Sequence, residues 1–311
     1  MKKELLALMP ADALLPDIPV LSYERAEGFV AVLAPAPAKL ALGRALRKTR
    51  LNAASERQSW LEALLQGGTV LHVAPGTVMD RDQIAPLLAA NTAMLAPLMA
   101  ALRDLVQYQV SVTWAEDLVL RRFRDAPEIA PLFAAGAVSA TAVAASVARL
   151  STRLAGGLSG QLAEVADDLA ELPLDRGMIF NAVLLIRRER EGALDRVLAE
   201  IDTIWTEGFR IRQIGPGPAT SFATLRVLHH GAAEVAQAYQ TLGLSATATE
   251  ACIQTARQRL LRQPGANAER IRFAQKLVEA DCAAGRPASG VHLITRWSEG
   301  RAAAPLEERV A

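Results

Sequence analysis

Residues 69–114 decide the fold. Residues 69–74 read Thr-Val-Leu-His-Val-Ala, Pro-Gly follows at 75–76, and residues 107–114 read Gln-Tyr-Gln-Val-Ser-Val-Thr-Trp. The last segment alternates polar and apolar residues, and a period of two is typical of a strand with one buried face. Residues 84–105 carry apolar side chains at helical spacing, and the Pro-Gly pair marks a turn. The stretch therefore predicts a strand, a helix and a strand, and it carries no catalytic motif.

Polar faces of two strands are the candidate binding surface. Residues 209–214 read Phe-Arg-Ile-Arg-Gln-Ile, which predicts a second alternating strand with its arginines facing out. The candidate partner-binding residues are Gln107, Gln109, Ser111, Thr113, Arg210 and Arg212. A helical arm at residues 247–284 is the second candidate surface.

The elements before this stretch indicate a sheet with helices. Residues 5–9 predict a first strand, and residues 18–23 and 29–33 flank a charged turn and predict a hairpin. A helix capped by Asn52 or Ser55 follows and ends before the first glycine pair of the chain.

The elements after it repeat the same kinds of segment. Residues 116–172 are expected to be helical, with breaks at prolines, and the apolar run at residues 177–186 predicts a strand buried on both faces. A further helix leads to the strand at 209–214. Residues 221–228 predict one more strand, and residues 291–294 a short apolar segment that docks.

These elements predict an α+β fold with two small sheet-plus-helix, ferredoxin-like units. A helical segment joins the units, and a helical C-terminal extension follows them. The predicted domains are an N-terminal α+β domain at 1–125, a helical connector at 126–174, a second α+β unit at 175–230, the extension at 231–285 and a flexible tail at 286–311.

Composition narrows the class of protein. The chain has 311 residues, enough for about two domains, with 34 basic and 33 acidic residues and a net charge of +1. Proteins that bind nucleic acid or a membrane surface normally have a surplus of basic residues, and these nearly equal counts do not show one. The 2 cysteines are too few for a disulfide scaffold and favour a reducing, cytoplasmic setting. The segment after Met1 is too interrupted for a signal peptide, and no transmembrane helix is expected.

Motifs for nucleotide binding and nucleophilic catalysis are missing from the sequence. The nearest glycine-rich loop, Gly-Pro-Gly-Pro at 215–218, loses amide donors to its prolines and predicts a rigid corner. The pair Asp167-Asp168 is expected on a helix, where adjacent side chains lie about 100° apart and cannot act together.

The histidines do not form a predicted metal or catalytic site. His72 lies in an apolar strand and is interpreted as a hydrogen-bonded core residue. His229 and His230 are adjacent in a strand and point to opposite sides, so they cannot readily bind one ion. We therefore expect no enzyme activity, no cofactor and no metal. An enzyme that uses His72 or His229 stays open as an alternative, and so does a small-ligand-binding regulatory α+β protein.

Two separated motifs resemble the gas vesicle GvpL/GvpF family. Residues 68–79, with the helix and strand that follow, resemble its first motif, and Asn-Ala-Val-Leu-Leu-Ile at 181–186 with Gly-Pro-Gly-Pro-Ala-Thr-Ser-Phe at 215–222 resembles its second. The order and spacing match over roughly residues 5–227. The departures from the family pattern include Ala74, Pro75, Gln107 and Gly217.

The resemblance implies a non-enzymatic accessory or minor structural protein of gas vesicle assembly. Such a protein would bind the hydrophobic wall protein and other accessory proteins in the cytoplasm, during nucleation or growth of the shell. A wall subunit with exposed apolar surface aggregates unless it is covered. An exposed edge strand can recruit a partner by strand addition.

Overall fold

The computed structural model describes residues 2–36, 45–134 and 139–297. The strands are β1 (Lys3–Pro10), β2 (Ser22–Ala26), β3 (Phe29–Pro35), β4 (Leu71–Val73), β5 (Val78–Met79), β6 (Leu105–Trp114), β7 (Asp168–Glu171), β8 (Met178–Arg187), β9 (Phe209–Gly217), β10 (Thr224–His230) and β11 (Val291–Trp297). The helices are α1 (Ala45–Leu65), α2 (Ile84–Ala101), α3 (Val119–Arg122), α4 (Ala130–Ala134), α5 (Ala140–Ala163), α6 (Glu191–Ile204), α7 (Ala232–Leu242), α8 (Glu250–Leu261) and α9 (Ala268–Ala283).

The chain forms two compact units, and the first is discontinuous. Unit 1 combines residues 1–103 with residues 218–311, and unit 2 comprises residues 104–217. This division differs from the predicted domains because β10 pairs in parallel with β4, which returns the last third of the chain to the first sheet. Part of the predicted tail forms β11, and residues 298–311 lie outside the described residues.

The sheet of unit 1 has seven strands in the order β11-β10-β4-β1-β3-β2, and β5 also pairs with β1. Residues 5–9 of β1 are fully buried, so this strand is the centre of the core. The predicted hairpin is present as β2 and β3. Its two turn residues, Glu27 and Gly28, have φ of 52° and 79°, which is the conformation that joins strands most tightly.

Helix α2 packs inside unit 1 against β2, β11 and α9. Its buried residues are Ile84, Leu87, Leu88, Asn91, Leu95, Leu98 and Met99. By length and composition alone, residues 81–101 could cross a membrane: an 18-residue window within them has a mean hydropathy of 1.6, and 39% of that window is buried. The sequence predicts no transmembrane helix, and the buried residues of α2 pack against β2, β11 and α9 in this structure.

Helices α7, α8 and α9 form a small bundle with its own buried cluster, which includes Tyr239, Ile253 and Leu277. Helix α9 begins with a side-chain cap, because Asn267 accepts a hydrogen bond of 2.9 Å from the Arg270 N–H. It also contacts α2 and β11. The helices predicted as a C-terminal extension at 231–285 and as a helical arm at 247–284 therefore pack within unit 1.

Unit 2 has the ferredoxin-like arrangement. Its sheet order is β7-β8-β6-β9, and every neighbouring pair is antiparallel. Helix α5 lies between β6 and β7 in the chain, and α6 lies between β8 and β9, which completes a β-α-β-β-α-β order. The predicted α+β class, with two sheets, helices and a helical C-terminal region, is confirmed.

Strand β7 corrects the expected helix over residues 116–172. Its sequence, Asp-Leu-Ala-Glu, is compatible with a helix, but Leu169 pairs with Leu184 and Ala170 with Val183 of β8. Asp167 and Asp168 therefore lie at the start of a strand and not on a helix. Tertiary pairing overrides a weak local preference here.

The two strands of the opening stretch belong to different sheets. Strand β4 pairs with β1 and β10 in unit 1, whereas β6 is an inner strand of unit 2. The predicted strand, helix and strand are all present, but they do not form one packed unit. Residues 178–214 repeat the order strand, helix and strand of residues 69–114.

Candidate functional site

The sheet of unit 2 brings the predicted partner-binding residues together. Ser111 of β6 is directly opposite Arg212 of β9, and Thr113 is opposite Arg210. Side chains at directly opposite positions share one face of a sheet, so these four form one polar patch. Gln107 and Gln109 continue the same face along β6.

Most polar groups on the inner strand are used within the fold. Ser111 is 6% exposed, and the Gln109 Nε2 donates a hydrogen bond of 2.9 Å to the Asn181 Oδ1 of β8. Asn181 in turn donates from Nδ2 to the Pro173 carbonyl at 2.8 Å. The exposed charges of the patch are Arg210 and Arg212, on β9.

Asn181 is a structural residue that the functional reading of the sequence missed. It is 8% exposed and bridges β6 to the loop before β8. The sequence does indicate such a role, because an amide side chain inside an otherwise apolar run is expected to be buried, and a buried polar group needs hydrogen-bond partners.

Strand β9 is an edge strand of nine residues and pairs with β6 alone among the described strands. The Ala115 N–H donates to the Gly208 carbonyl at 2.9 Å. Because an antiparallel ladder alternates, the backbone groups of Arg210 and Arg212 then point toward β6, and those of Ile211 and Gln213 point outward.

Both ends of β9 are held in place. The Phe209 N–H donates to the Trp205 carbonyl at 2.8 Å, and the Trp205 ring packs edge-on against Phe209. At the other end Gly215 has φ of 141°, and a Cβ there would lie 2.7 Å from the Gln107 carbonyl oxygen. Glycine is therefore required where β9 passes close to β6.

The β11 edge of the unit 1 sheet is partly covered by a side chain, in contrast to the β9 edge of unit 2. Asn91 of α2 is 3% exposed and lies against edge strand β11. Its Oδ1 accepts from the Ile294 N–H at 2.7 Å, and its Nδ2 donates to the His292 carbonyl at 2.8 Å. One side chain thus occupies the Ile294 N–H and the His292 carbonyl, two of the backbone groups that an added strand would use.

His72 is a buried structural residue. Thr224 Oγ1 donates to the Thr220 carbonyl at 2.7 Å, so it accepts from the His72 Nδ1–H at 3.2 Å. The other ring nitrogen accepts from Arg57 Nε at 3.4 Å. Burial, and then the charge of Arg57, lowers the pKa of His72 to about 4. A neutral ring with both nitrogens engaged is not arranged as a general base.

Arg57 connects this histidine to Glu4. Arg57 Nη1 lies 2.6 Å from Glu4 Oε1, and Nη2 donates to the Val73 carbonyl at 2.6 Å. Glu4 Oε1 also accepts from the Gly76 N–H at 2.9 Å. The network fixes α1, β1, β4 and the Pro-Gly turn at 75–76 to one another. Its sequence signal was Glu4, a charge inside an apolar strand.

The remaining histidines lie on β10 and β11. His229 is opposite His292 with ring centroids 4.7 Å apart, while the next residue, His230, approaches Glu234 at 3.4 Å. Across residues 2–36, 45–134 and 139–297, no group of three or more metal-ligating side chains converges.

Unit 2 also contains a groove of about 670 Å³ between the start of α5 and one end of the sheet. Small and apolar side chains dominate its lining, which includes Trp114, Val119, Val143, Ala144, Val147 and Met178. Glu116 and Ser151 contribute the polar side chains. A small-ligand site normally has several converging polar groups, so this lining does not favour the regulatory alternative.

The fold and surfaces define an α+β protein built around a ferredoxin-like unit with an accessible sheet edge. The chain belongs to the GvpL/GvpF family, because the family model described as "Gas vesicle synthesis protein GvpL/GvpF" matches residues 17–224. This membership confirms the resemblance that the two sequence motifs indicated, and it supports a role in gas vesicle assembly.

Two solved structures share the fold. The chain is similar to the gas vesicle protein GvpF from Anabaena sp. PCC7120, at 21% identity and a TM-score of 0.55, over 71% of this chain and 97% of that one. It is also similar to GvpF from Microcystis aeruginosa, at 20% identity and a TM-score of 0.52, over 71% and 98% of the two chains. No curated protein matches this chain.

Proposed function

We propose that this chain is a non-enzymatic accessory or minor structural protein of gas vesicle assembly. It binds the hydrophobic wall protein and other accessory proteins during nucleation or growth of the shell. This binding takes place in the cytoplasm and at the vesicle. Nucleic acid and membranes are not among its proposed partners. The observation that carries this proposal is the family match over residues 17–224.

Two features of unit 2 support binding to other proteins. The β9 edge presents outward backbone groups, which can pair with an extended partner segment. The groove beside α5 presents apolar surface, which favours contact with the apolar side chains of a protein partner. Neither feature brings together the nucleophile, base and orienting group of a catalytic site.

The experiment is deletion of the gene in its host, followed by electron microscopy and a buoyancy assay. We expect loss or malformation of vesicles, restored by the intact gene. In parallel, affinity-tagged chain is expected to retain the wall protein from host lysate. Normal vesicles together with no retained wall protein would contradict the proposal.

A further inference from the structure

We infer that the outer edge of β9 is a docking strand for an extended partner segment that carries acidic side chains at alternate positions. The inference rests on the proposed role in assembly. It adds the surface that is used and the chemistry of the segment that this surface accepts.

The backbone of β9 supplies the first part of the argument. The ladder with β6 directs the N–H and C=O groups of Ile211 and Gln213 away from the sheet. An added strand satisfies these groups by main-chain hydrogen bonds, as in other cases of strand addition. Such bonds give affinity without selecting a sequence.

The side chains of β9 determine which partner sequence is preferred. Arg210 and Arg212 are both exposed and lie two residues apart, so they share one face. Side chains of an added strand would stand about 5 Å from them at directly opposite positions. Acidic residues at every second position of the partner would therefore meet both guanidinium groups. Ile214, on the same face and 46% exposed, would meet an apolar residue at the end of that row.

The same charges disfavour a second copy of this chain as the occupant. Antiparallel pairing of β9 with β9 of another copy would bring arginines close to arginines, and like charges at opposite positions are destabilising. An acidic segment turns the same residues into attractive contacts.

The other edges of the described sheets are poorer docking strands. Asn91 covers β11, β2 has five residues and β7 has four. Strand β9 has nine. An alternative role for arginines on an edge strand is to prevent that edge from pairing with other chains and aggregating. The two roles differ in one respect: a protective arginine does not require an acidic partner.

The direct test uses the full chain and a fluorescent peptide of about nine residues in which Val and Glu alternate. We expect binding by fluorescence anisotropy, weakened by salt, and at least about tenfold weaker binding by the double variant Arg210→Glu/Arg212→Glu. Gln213→Pro removes an outward N–H while sparing the ladder to β6, and it is expected to weaken binding similarly.

Matched controls separate docking from general charge and from unfolding. Arg196→Glu changes an exposed arginine of α6 in the same unit and is expected to bind the peptide as the unaltered chain does. A peptide with Lys in place of Glu is expected to bind at least about tenfold more weakly. Hydrogen exchange should show new protection of the Ile211 and Gln213 amides with the acidic peptide. Circular dichroism and thermal unfolding verify that each variant is folded.

Several outcomes overturn the inference. These are equal affinity of folded Arg210→Glu/Arg212→Glu for the acidic peptide, no difference between the two peptides, or protection elsewhere than β9. A concentration-dependent dimer that the double variant abolishes would assign the edge to a second copy instead.

A wall-protein pull-down separates this inference from the proposed function. If the unaltered chain and the folded double variant retain wall protein equally and also bind the acidic peptide equally, the docking strand is wrong and the proposed function stands. If the unaltered chain retains none and its deletion leaves vesicles normal, the proposed function is wrong. Retention by the unaltered chain and loss in the double variant support both.

Discussion

Arg57 of α1 and Glu4 of β1 form an ion pair in the interior of unit 1, with 2.6 Å between Nη1 and Oε1 and side-chain exposures of 12% and 11%. The guanidinium also bonds the Val73 carbonyl, and the carboxylate accepts the Gly76 N–H. Burial lowers the pKa of Arg57, while Glu4 opposes that effect and helps keep the arginine charged. This pair positions the turn between β4 and β5.

Removing the charge of Glu4 is expected to destabilise unit 1. Glu4→Gln leaves a buried guanidinium without its counter-charge, at a cost of about 3 kcal/mol in the free energy of unfolding. The control is Glu128→Gln, because Glu128 and Arg153 are also 2.6 Å apart but Arg153 is 50% exposed. That change should cost much less, because solvent screens a half-exposed pair. Urea denaturation measures both, and equal costs would contradict the role of burial.

His72 is expected to make stability depend on pH in the acidic range. Its pKa is about 4 in the folded chain and 6.5 in its ordinary state. Between these values the unfolded chain binds a proton that the folded chain does not. The free energy of unfolding therefore falls as the pH drops from about 6.5 to 4, by roughly 3 kcal/mol in full.

The measurement is denaturant unfolding of the unaltered chain and of His72→Gln at several pH values in that range. The difference between the two curves should shrink as the pH falls, because the variant lacks this proton uptake. Burial also lowers the pKa of His292. His292 therefore also makes the free energy of unfolding fall as the pH drops, but it does so equally in the unaltered chain and in the variant. Parallel curves would show that His72 does not carry the dependence.

Asn91 is expected to protect the β11 edge. Asn91→Leu keeps the volume similar but leaves the Ile294 N–H and the His292 carbonyl without their partner. We expect a loss of about 2 kcal/mol and faster hydrogen exchange at the Ile294 amide. Thr92→Val is the control, because the side-chain hydrogen bond of Thr92 within the described residues stays in its own helix, at the Leu88 carbonyl. Unchanged exchange at Ile294 in Asn91→Leu would refute this role.

Gly215 is expected to be intolerant of a side chain. An added Cβ would lie 2.6 Å from Tyr108 Cδ1 and 2.7 Å from the Gln107 carbonyl oxygen, at a φ of 141°. Gly215→Ala should therefore cost about 2 kcal/mol or more and distort the end of β9.

The matched glycine is Gly192 in α6, where an added Cβ would meet nothing within 4 Å. Gly192→Ala is expected to raise stability by up to about 1 kcal/mol, since alanine favours helix. Thermal unfolding of the two variants should shift in opposite directions. Shifts of the same sign would mean that the contact with β6 does not determine the effect.

Several elements could be predicted from the sequence because their causes are local. The alternation at residues 107–114 predicts β6, the charged turn predicts the β2–β3 hairpin, and the apolar run at 177–186 predicts β8. Each pattern records which side chains face the core. The alternation at residues 209–214 predicts in the same way that Arg210 and Arg212 face out, and both are exposed.

The candidate site was predictable in part. The sequence placed two arginines on one face of a strand, but it did not show that this strand is an edge. It also did not show that Gln109 is held by Asn181, 72 residues away. Edge position and hydrogen-bond partners depend on which strands lie side by side, and side-chain periodicity does not encode that.

The sequence by itself determined the α+β class, the character of most strands and helices, and the family resemblance. Only the tertiary structure decided that β4 and β6 belong to different sheets, and that β10 returns to pair with β4, Thr224 opposite His72. It also decided that residues 168–171 form a strand. The physical reason is that the pattern of buried side chains is set by neighbouring residues in the sequence. Which strands pair depends instead on contacts between segments that are far apart in the chain.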